Sequence, residues 1–500
     1  MSTPVRVRFA PSPTGFLHIG GLRTALFNYL FARHHGGTFV LRIEDTDQAR
    51  FVDGAEADIV RALEWCGIAI DEGPHAGGPH GPYRQSERGE LYAKAAAKLI
   101  EEGHAYYAFD TQEEIETMRE RLRSSGNPSP AYDSITRQSM KNSLTLPQEE
   151  VERRLASGEA HVVRLKVPRR ETVRFEDRIR GVVSFETKGL DDQVLMKSDG
   201  LPTYHLANVV DDHEMGITHV IRGEEWLSSA PKHMLLYRYL GWEPPVMAHL
   251  PLIMSPSGGK LSKRKAEMEG IPVNARDYID HGYEPQALVN FLAYLGWSPG
   301  DDSEIHSLEE LAGLFTLERV GKAGAVFSHK KLLWYNEHYL RQVDDEALYT
   351  RVLALAAEQG VTGFDPDVLR RAVPLLKERI TRAEEILTLG AFFLGDPEHY
   401  DPDALGKWQE STPDLLRAYR KELESLTEAQ FEAPLLKERL QETAKAHGAG
   451  MGKLMMPVRV CVSGLGFGPD LFDSMELLGR ETVLRRMELA LARLSGPGAS

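Results

Sequence analysis

The stretch VRVRFAPSPTGFLHIGGLRTALFNYLFAR, from Val5 to Arg33, decides the fold. Val5, Val7 and Phe9 alternate with Arg6 and Arg8, the period-2 pattern of a strand. Pro11 and Pro13 stop that strand. Leu22, Ala25, Leu26, Tyr29 and Leu30 then fall on one helical face, so a helix begins close to Gly20 and Gly21. A strand, a glycine-bearing turn and a helix in this order present unpaired N–H groups and a partial positive charge to whatever sits over the turn. That suits a phosphate, and His18 is placed to donate to its oxygens. The bland alternative is an ordinary strand-turn-helix with a surface histidine.

Working outward, a second element bears on that choice. SGGKLSKR, residues 257–264, offers Lys260, Ser262, Lys263 and Arg264 in a glycine-primed loop that can close over a polyphosphate. Alone, a basic run is more often a solvated face. Between the two elements, residues 1–84 alternate strand and helix, with a nearly continuous apolar strand at 38–43 that carries Glu44 at its C-terminal end, where open α/β sheets bind ligands. A helix follows at 55–63, and Gly/Pro-rich residues 73–81 carry the chain out of this half of the sheet.

From 85 to 190 the pattern becomes α+β: helices at 89–102, 113–123 and 149–156, strands at 161–167 and 182–185, and a loop at 124–132. Residues 191–255 return to the sheet through a strand at 217–221 and a helix at 226–240 whose first turn is acidic. A mostly helical connector covers 256–343, and 344–500 is almost wholly helical, at 348–359, 368–389, 414–426 and 428–446, with a frayed tail at 495–500.

Five hundred residues need several cores. The start of the chain enters a strand with no apolar leader, and no apolar run reaches membrane-spanning length, so a cytoplasmic protein with no membrane partner is expected. Cys66 and Cys461 fit a reducing compartment and read as small core residues. The net charge of −15 argues against a generic nucleic-acid binder but leaves room for local basic surfaces. A monomer is the default expectation.

HIGG at 18–21 followed by KLSKR at 260–264 resembles the paired signatures of class I aminoacyl-tRNA synthetases. APSPTG (10–15), RIEDTD (42–47), GPYRQS (81–86), YHLANVVDD (204–212), RGEEW (222–226) and GKLMMP (452–457) sharpen the resemblance to glutamyl-tRNA synthetases of the bacterial type. It implies a Rossmann-like catalytic domain split at 1–84 and 191–255, an acceptor-binding insertion, a stem-contact connector and an all-α anticodon-binding region. The implied reaction is ATP-dependent ligation of L-glutamate to tRNA(Glu) through glutamyl-adenylate, with Mg²⁺ accompanying ATP and with release of pyrophosphate and AMP. Neither step needs a protein nucleophile, so catalysis is positioning and charge stabilisation.

The resemblance puts His18, Gly20, Lys260 and Lys263 on the phosphates, Glu225 on the ribose or adenine side, and Ser262 with Arg264 in support of the loop. Glu225 also reads simply as an acid at a helix start. Arg8 and Arg222 are the expected donors to glutamate's carboxylates, as bidentate forks, with Glu44 taking the ammonium and Ala10, Ser12, Tyr204 and Asn208 filling in. Arg8 could otherwise be a solvent-facing neighbour of Arg6. An arginine facing the distal carboxylate rejects glutamine by opposing donor to donor.

Some relatives hold part of the insertion with zinc. The equivalent stretch around 106–110 has no cysteine, so no structural zinc is expected. Arg379 lies beside the stripe Leu376, Ile380, Ala383 and Leu387; the resemblance makes it an anticodon reader, and its place on the helix alone makes it an exposed flank residue. The competing readings are glutaminyl-tRNA synthetase, whose anticodon part is β-barrel, a small-molecule nucleotidylyltransferase, and an inactive RNA-binding relative. Whether tRNA(Gln) is also charged, and whether adenylate formation waits for tRNA, are left open.

Overall fold

In the computed structural model, which describes residues 4–494, the chain forms two compact units, 1–278 with 288–329 and 279–287 with 330–500. The expected tail at 495–500 lies outside the described residues.

The first unit opens as its sequence dictates. Strand β1 (Arg6–Phe9) leads into helix α1 (Ile19–His34), then β2 (Thr38–Leu41), paired parallel to β1 with Arg6 opposite Thr38 and Phe9 opposite Leu41. Helix α2 (Ala55–Trp65) turns Ile59, Ala62 and Leu63 inward. The insertion begins with α3 (Gly89–Glu101), β3 (Ala105–Ala108), α4 (Gln112–Ser124) and α5 (Gln148–Ala156). It continues with β4 (Val162–Leu165), the hairpin β5 (Thr172–Asp177) and β6 (Gly181–Glu186), and β7 (Val194–Met196).

The return half is α6 (Tyr204–Glu214), β8 (His219–Gly223), α7 (Ala230–Leu240), β9 (Val246–Leu250), β10 (Ile253–Met254) and α8 (Lys263–Met268). β8 and β9 are parallel, and Thr218 N–H donates to the Arg6 carbonyl at 2.9 Å, setting β8 beside β1. Asn28, fully buried on α1, donates to the Ile221 carbonyl at 3.0 Å and fastens the helix to β8.

The chain passes between layers more often than its pattern suggests. β7 adds to the antiparallel sheet of β3 and β4, whereas the β5–β6 hairpin joins the parallel sheet through β9, Asp177 opposite Met247. The insertion also shares a core with α6 and α7, in which Tyr92, Leu99, Leu165, Leu206 and Leu235 are buried together.

The second unit is helical, with one core around Leu348, Val352, Leu376 and Phe392 and another around Leu416, Tyr419, Leu454 and Met487. Three helix expectations need correction. The helix expected from 226 begins at Ala230 after a 3-10 turn (Glu224–Ser229), and the one expected from 428 begins at Ala433. Pro231 and Pro434 cause both shifts, because proline lacks an N–H and settles in a helix's first turn.

The single helix expected over 368–389 is Pro366–Lys377 and Glu385–Leu389, with non-helical chain between. There Thr381 donates its N–H and hydroxyl to the Glu385 carboxylate, both at 2.7 Å, and its carbonyl accepts from Asn336 at 2.6 Å. Its backbone is thereby committed to partners other than the helix ladder. Both cysteines are buried, and burial pushes each thiol up to about 12, as inert core residues require. Among the described residues no helix is long and apolar enough to cross a membrane.

Candidate active site

The start of α1 forms one wall of a cleft of about 420 Å³. His18 is the N-cap: its Nδ1 accepts from the Gly20 N–H at 3.0 Å. Burial, then Lys263 and Lys260, push the imidazole down to about 4, so it is neutral at pH 7. With Nδ1 accepting, the proton sits on Nε2. His18 is thus a fixed neutral donor. Gly20 lines the cleft, and Gly21 packs so closely that an added Cβ would lie 3.0 Å from Leu17.

A neighbouring cavity of about 350 Å³ shares His18, Gly20, Gly21 and Glu225, and is lined further by Lys260, Leu261 and Ser262. Lys263 lines the first cavity, whereas Arg264 lines neither of these two. Ser262 caps α8 by accepting from the Lys265 N–H at 3.4 Å. Gly258 and Gly259 take φ of +89° and +74° in the turn before it, and Lys265 Nζ donates to the Gly258 carbonyl. Glu269 closes the base by accepting from Ser255 Oγ at 2.5 Å. Glu225 stands on the 3-10 turn rather than in a helix, and its carboxylate lies where a Cβ on Gly223 would be, 2.2 Å away.

The other wall is cationic and polar. Arg8, Ala10, Ser12, Glu44, Tyr204, Asn208 and Arg222 all line the larger cavity, so every residue expected there is brought to it. Arg8 is 3% exposed and not a solvent neighbour of Arg6, which instead pairs with Glu72 at 2.7 Å. The two arginines differ in what is left for the bidentate fork expected of each. Arg8 spends Nε and one terminal nitrogen on Asp212, at 3.0 and 3.4 Å. Arg222 donates Nε to His249 Nε2 at 3.1 Å, NH1 to Tyr204 Oη at 2.8 Å and to His233 Nδ1 at 3.3 Å, and NH2 to the Trp226 carbonyl at 3.5 Å. Both terminal nitrogens of Arg8 thus keep free N–H groups, whereas Arg222 reaches a ligand through NH2 alone. Tyr204, accepting from Arg222, keeps its own hydroxyl proton to give.

Beneath these residues lies an ionic layer that sequence reading missed. Arg42, fully buried, donates to Asp212 at 2.7 Å and Glu44 at 3.1 Å. With its amide oriented to satisfy both neighbours, Asn208 donates to Asp212 at 3.2 Å and accepts from Arg42 at 3.1 Å. Burial disfavours the Arg42 charge, but Asp212, Glu44 and Asp211 hold its guanidinium well above the usual value. Burial raises the Glu44 carboxyl, against the pull of Arg42 and Arg8. Asp211 accepts from Arg88 at 2.6 Å and Gln85 at 2.8 Å. The available signal was the YHLANVVDD helix itself, where Asn208 and Asp212, four apart, put an amide and a carboxylate on one face between Tyr204 and Met215.

A parallel sheet with both cavities at the α1 start and the C-terminal end of β8 is the architecture of a class I tRNA synthetase. Residues 4–334 match the family described as "tRNA synthetases class I (E and Q), catalytic domain", and 337–491 match "Anticodon binding domain". The chain is 51% identical to the glutamate–tRNA ligase of Cytophaga hutchinsonii and 47% identical to that of Amoebophilus asiaticus, in each case over 98% of both chains. It also superposes on the crystal structure of a glutamate–tRNA ligase from Elizabethkingia meningosepticum in complex with its amino acid, at a TM-score of 0.89 and 45% identity, covering 98% of this chain and 100% of that one. The chain belongs to the glutamate–tRNA ligase family.

Proposed function

We propose that this chain ligates L-glutamate to tRNA(Glu) in two steps, with the cleft as the site of both. The observation that carries the proposal is one cavity walled on one side by His18, Gly20, Glu225 and Lys263 and on the other by Arg8, Glu44, Tyr204 and Arg222.

In the first step a glutamate carboxylate oxygen attacks the α-phosphorus of ATP, and the bond to the β-phosphate breaks to release pyrophosphate. His18 donates from Nε2 to the phosphates, while Lys260 and Lys263 balance charge on the leaving group. Glu225 takes the nucleoside side. Mg²⁺ arrives with ATP as part of that substrate and neutralises phosphate charge. Arg8, Arg222 and Tyr204 donate to the amino acid's carboxylates, and Glu44 accepts from its ammonium. In the second step the terminal ribose hydroxyl of the tRNA attacks the acyl carbon and AMP departs.

We assign residues 85–190 to the acceptor end, 256–343 to the stem and the helices from 344 to the anticodon. Arg379, exposed and just past the helix that ends at Lys377, is the proposed anticodon contact. The test is charging of purified glutamate and glutamine tRNAs side by side with ATP and Mg²⁺, using the native chain and Arg379→Ala. Charging of tRNA(Glu) alone, with discrimination weakened by Arg379→Ala, is the expected outcome. Charging of both by the native chain removes the role of Arg379, and charging of neither overturns the proposal.

A further inference from the structure

Arg8 and Arg222 line the cleft and Arg42 lies buried beneath it; of these, Arg222 has no carboxylate partner among the described residues. Arg8 is paired with Asp212, and Arg42 with Asp212 and Glu44. The partners of Arg222 are instead two imidazoles, a phenol and a carbonyl. Neutral acceptors fix the direction of a guanidinium without cancelling its charge.

The proton positions follow from the chain behind it. Asp177, the last residue of β5, is 1% exposed, and its carboxylate accepts from His249 Nδ1 at 2.6 Å. Oδ1 of the same carboxylate accepts from the backbone N–H groups of Ile179 at 3.0 Å, Arg180 at 2.8 Å and His249 at 3.3 Å. An ionised carboxylate only accepts, so Nδ1 of the fully buried His249 carries the proton and Nε2 is left as an acceptor. That lone pair receives the Arg222 Nε–H. Burial, with Arg222, lowers the imidazole's pKa against the opposing pull of Asp177, which keeps the ring neutral. His233, 2% exposed on α7, is held neutral in the same way and accepts from NH1 on the other side.

We propose that the buried Asp177–His249 pair is the positioning device of the amino-acid pocket: it fixes the tautomer that aims Arg222 at the substrate carboxylate. The inference rests on the reading of Arg222 as a glutamate-binding residue. Asp177 and His249 touch no substrate and act through Arg222. A merely structural pair would satisfy its own hydrogen bonds and leave substrate affinity alone.

Two near-isosteric changes separate these roles. In Asp177→Asn the side-chain oxygen stays with the three backbone donors, so the NH₂ faces Nδ1. The proton moves to Nε2, and an N–H then opposes the Arg222 N–H, the same wrong-tautomer fault as an Asp→Asn change behind a catalytic histidine. His249→Asn keeps a donor for Asp177 but loses the acceptor, whereas His249→Gln can set an oxygen near the former Nε2.

Steady-state adenylate formation by pyrophosphate exchange should show the KM for glutamate raised about ten- to hundredfold in Asp177→Asn and His249→Asn, with the KM for ATP within about twofold. His249→Gln should recover most of the loss. An unchanged KM for glutamate in Asp177→Asn, or a His249→Gln no better than His249→Asn, overturns the proposal. If His249→Asn does not fold, Asp177→Asn decides alone. Arg222→Gln is run beside them. If it leaves the KM for glutamate unchanged, the reading of Arg222 itself falls. If it raises that KM while Asp177→Asn does not, only the positioning role falls.

Discussion

His18 divides its work between two ring nitrogens: Nδ1 caps α1 by accepting from Gly20, and Nε2 is left to donate into the cleft. Asparagine can reproduce the first function and not the second. His18→Asn should therefore keep the thermal midpoint nearly unchanged while adenylate formation slows by about 10²- to 10³-fold, the usual cost of one lost donor to developing charge. A lowered midpoint with unchanged exchange would reject this division. The imidazole's place at a glycine-bearing helix start was legible from Val5 to Arg33; its tautomer was not, because that depends on a 3.0 Å hydrogen bond. The same holds for Arg8 and Arg222. The family resemblance placed both near a carboxylate, but the side chains they bond to come from α6, α7 and β9, far away in sequence.

Among the elements, strands and helices with a clean period were readable to within a few residues. α3, observed at Gly89–Glu101, was expected at 89–102. The failures have local causes that periodicity ignores: prolines at 231 and 434 start helices late, and Thr381 is diverted to Glu385 and Asn336. Strand partnership was also hidden, since nothing in β7 says that its neighbour is β4. The join between α1 and β2 offers a test. Gly37 N–H donates to the Ala32 carbonyl at 2.7 Å, and the Val5 carbonyl accepts from Thr38 at 2.9 Å. A Cβ on Gly37 would lie 2.3 Å from that Val5 oxygen. Gly37→Ala should push β2 away from β1 and cost about 1–3 kcal/mol, read as a lowered urea midpoint at unchanged slope. A midpoint equal to the native one would show that the strands tolerate the methyl group.

For the whole molecule, acid should act on the two units at different pH. His18, His205 and His219, all in the first unit, are pushed by burial to about 4, and His233 and His249 are also lowered. A depressed histidine leaves the unfolded chain binding more protons than the folded one. The stability these groups provide is complete above about 6.5 and is lost as pH falls toward 4. The raised carboxyls of Glu44, Asp192 and Asp211 work in the opposite sense, but the five imidazoles outnumber them.

In the second unit Asp396, bound by Arg485 and Arg486, is held down to about 2, so its contribution persists until pH falls below 3.8. Hydrogen exchange at pH 7, 6 and 5 should show protection lost first in the first unit. Loss in the second unit first would contradict the assignment.

The unmatched charge of Arg222 has a consequence for the empty protein. A guanidinium that is 5% exposed and has no carboxylate of its own stores electrostatic free energy in the unliganded state. If Arg222 binds glutamate as proposed, the amino acid is the counter-ion the fold leaves out. On that reading its arrival would meet the charge, coupling substrate binding to the stability of the β8–β9 pair, and a neutral side chain in the same place would leave the charge standing.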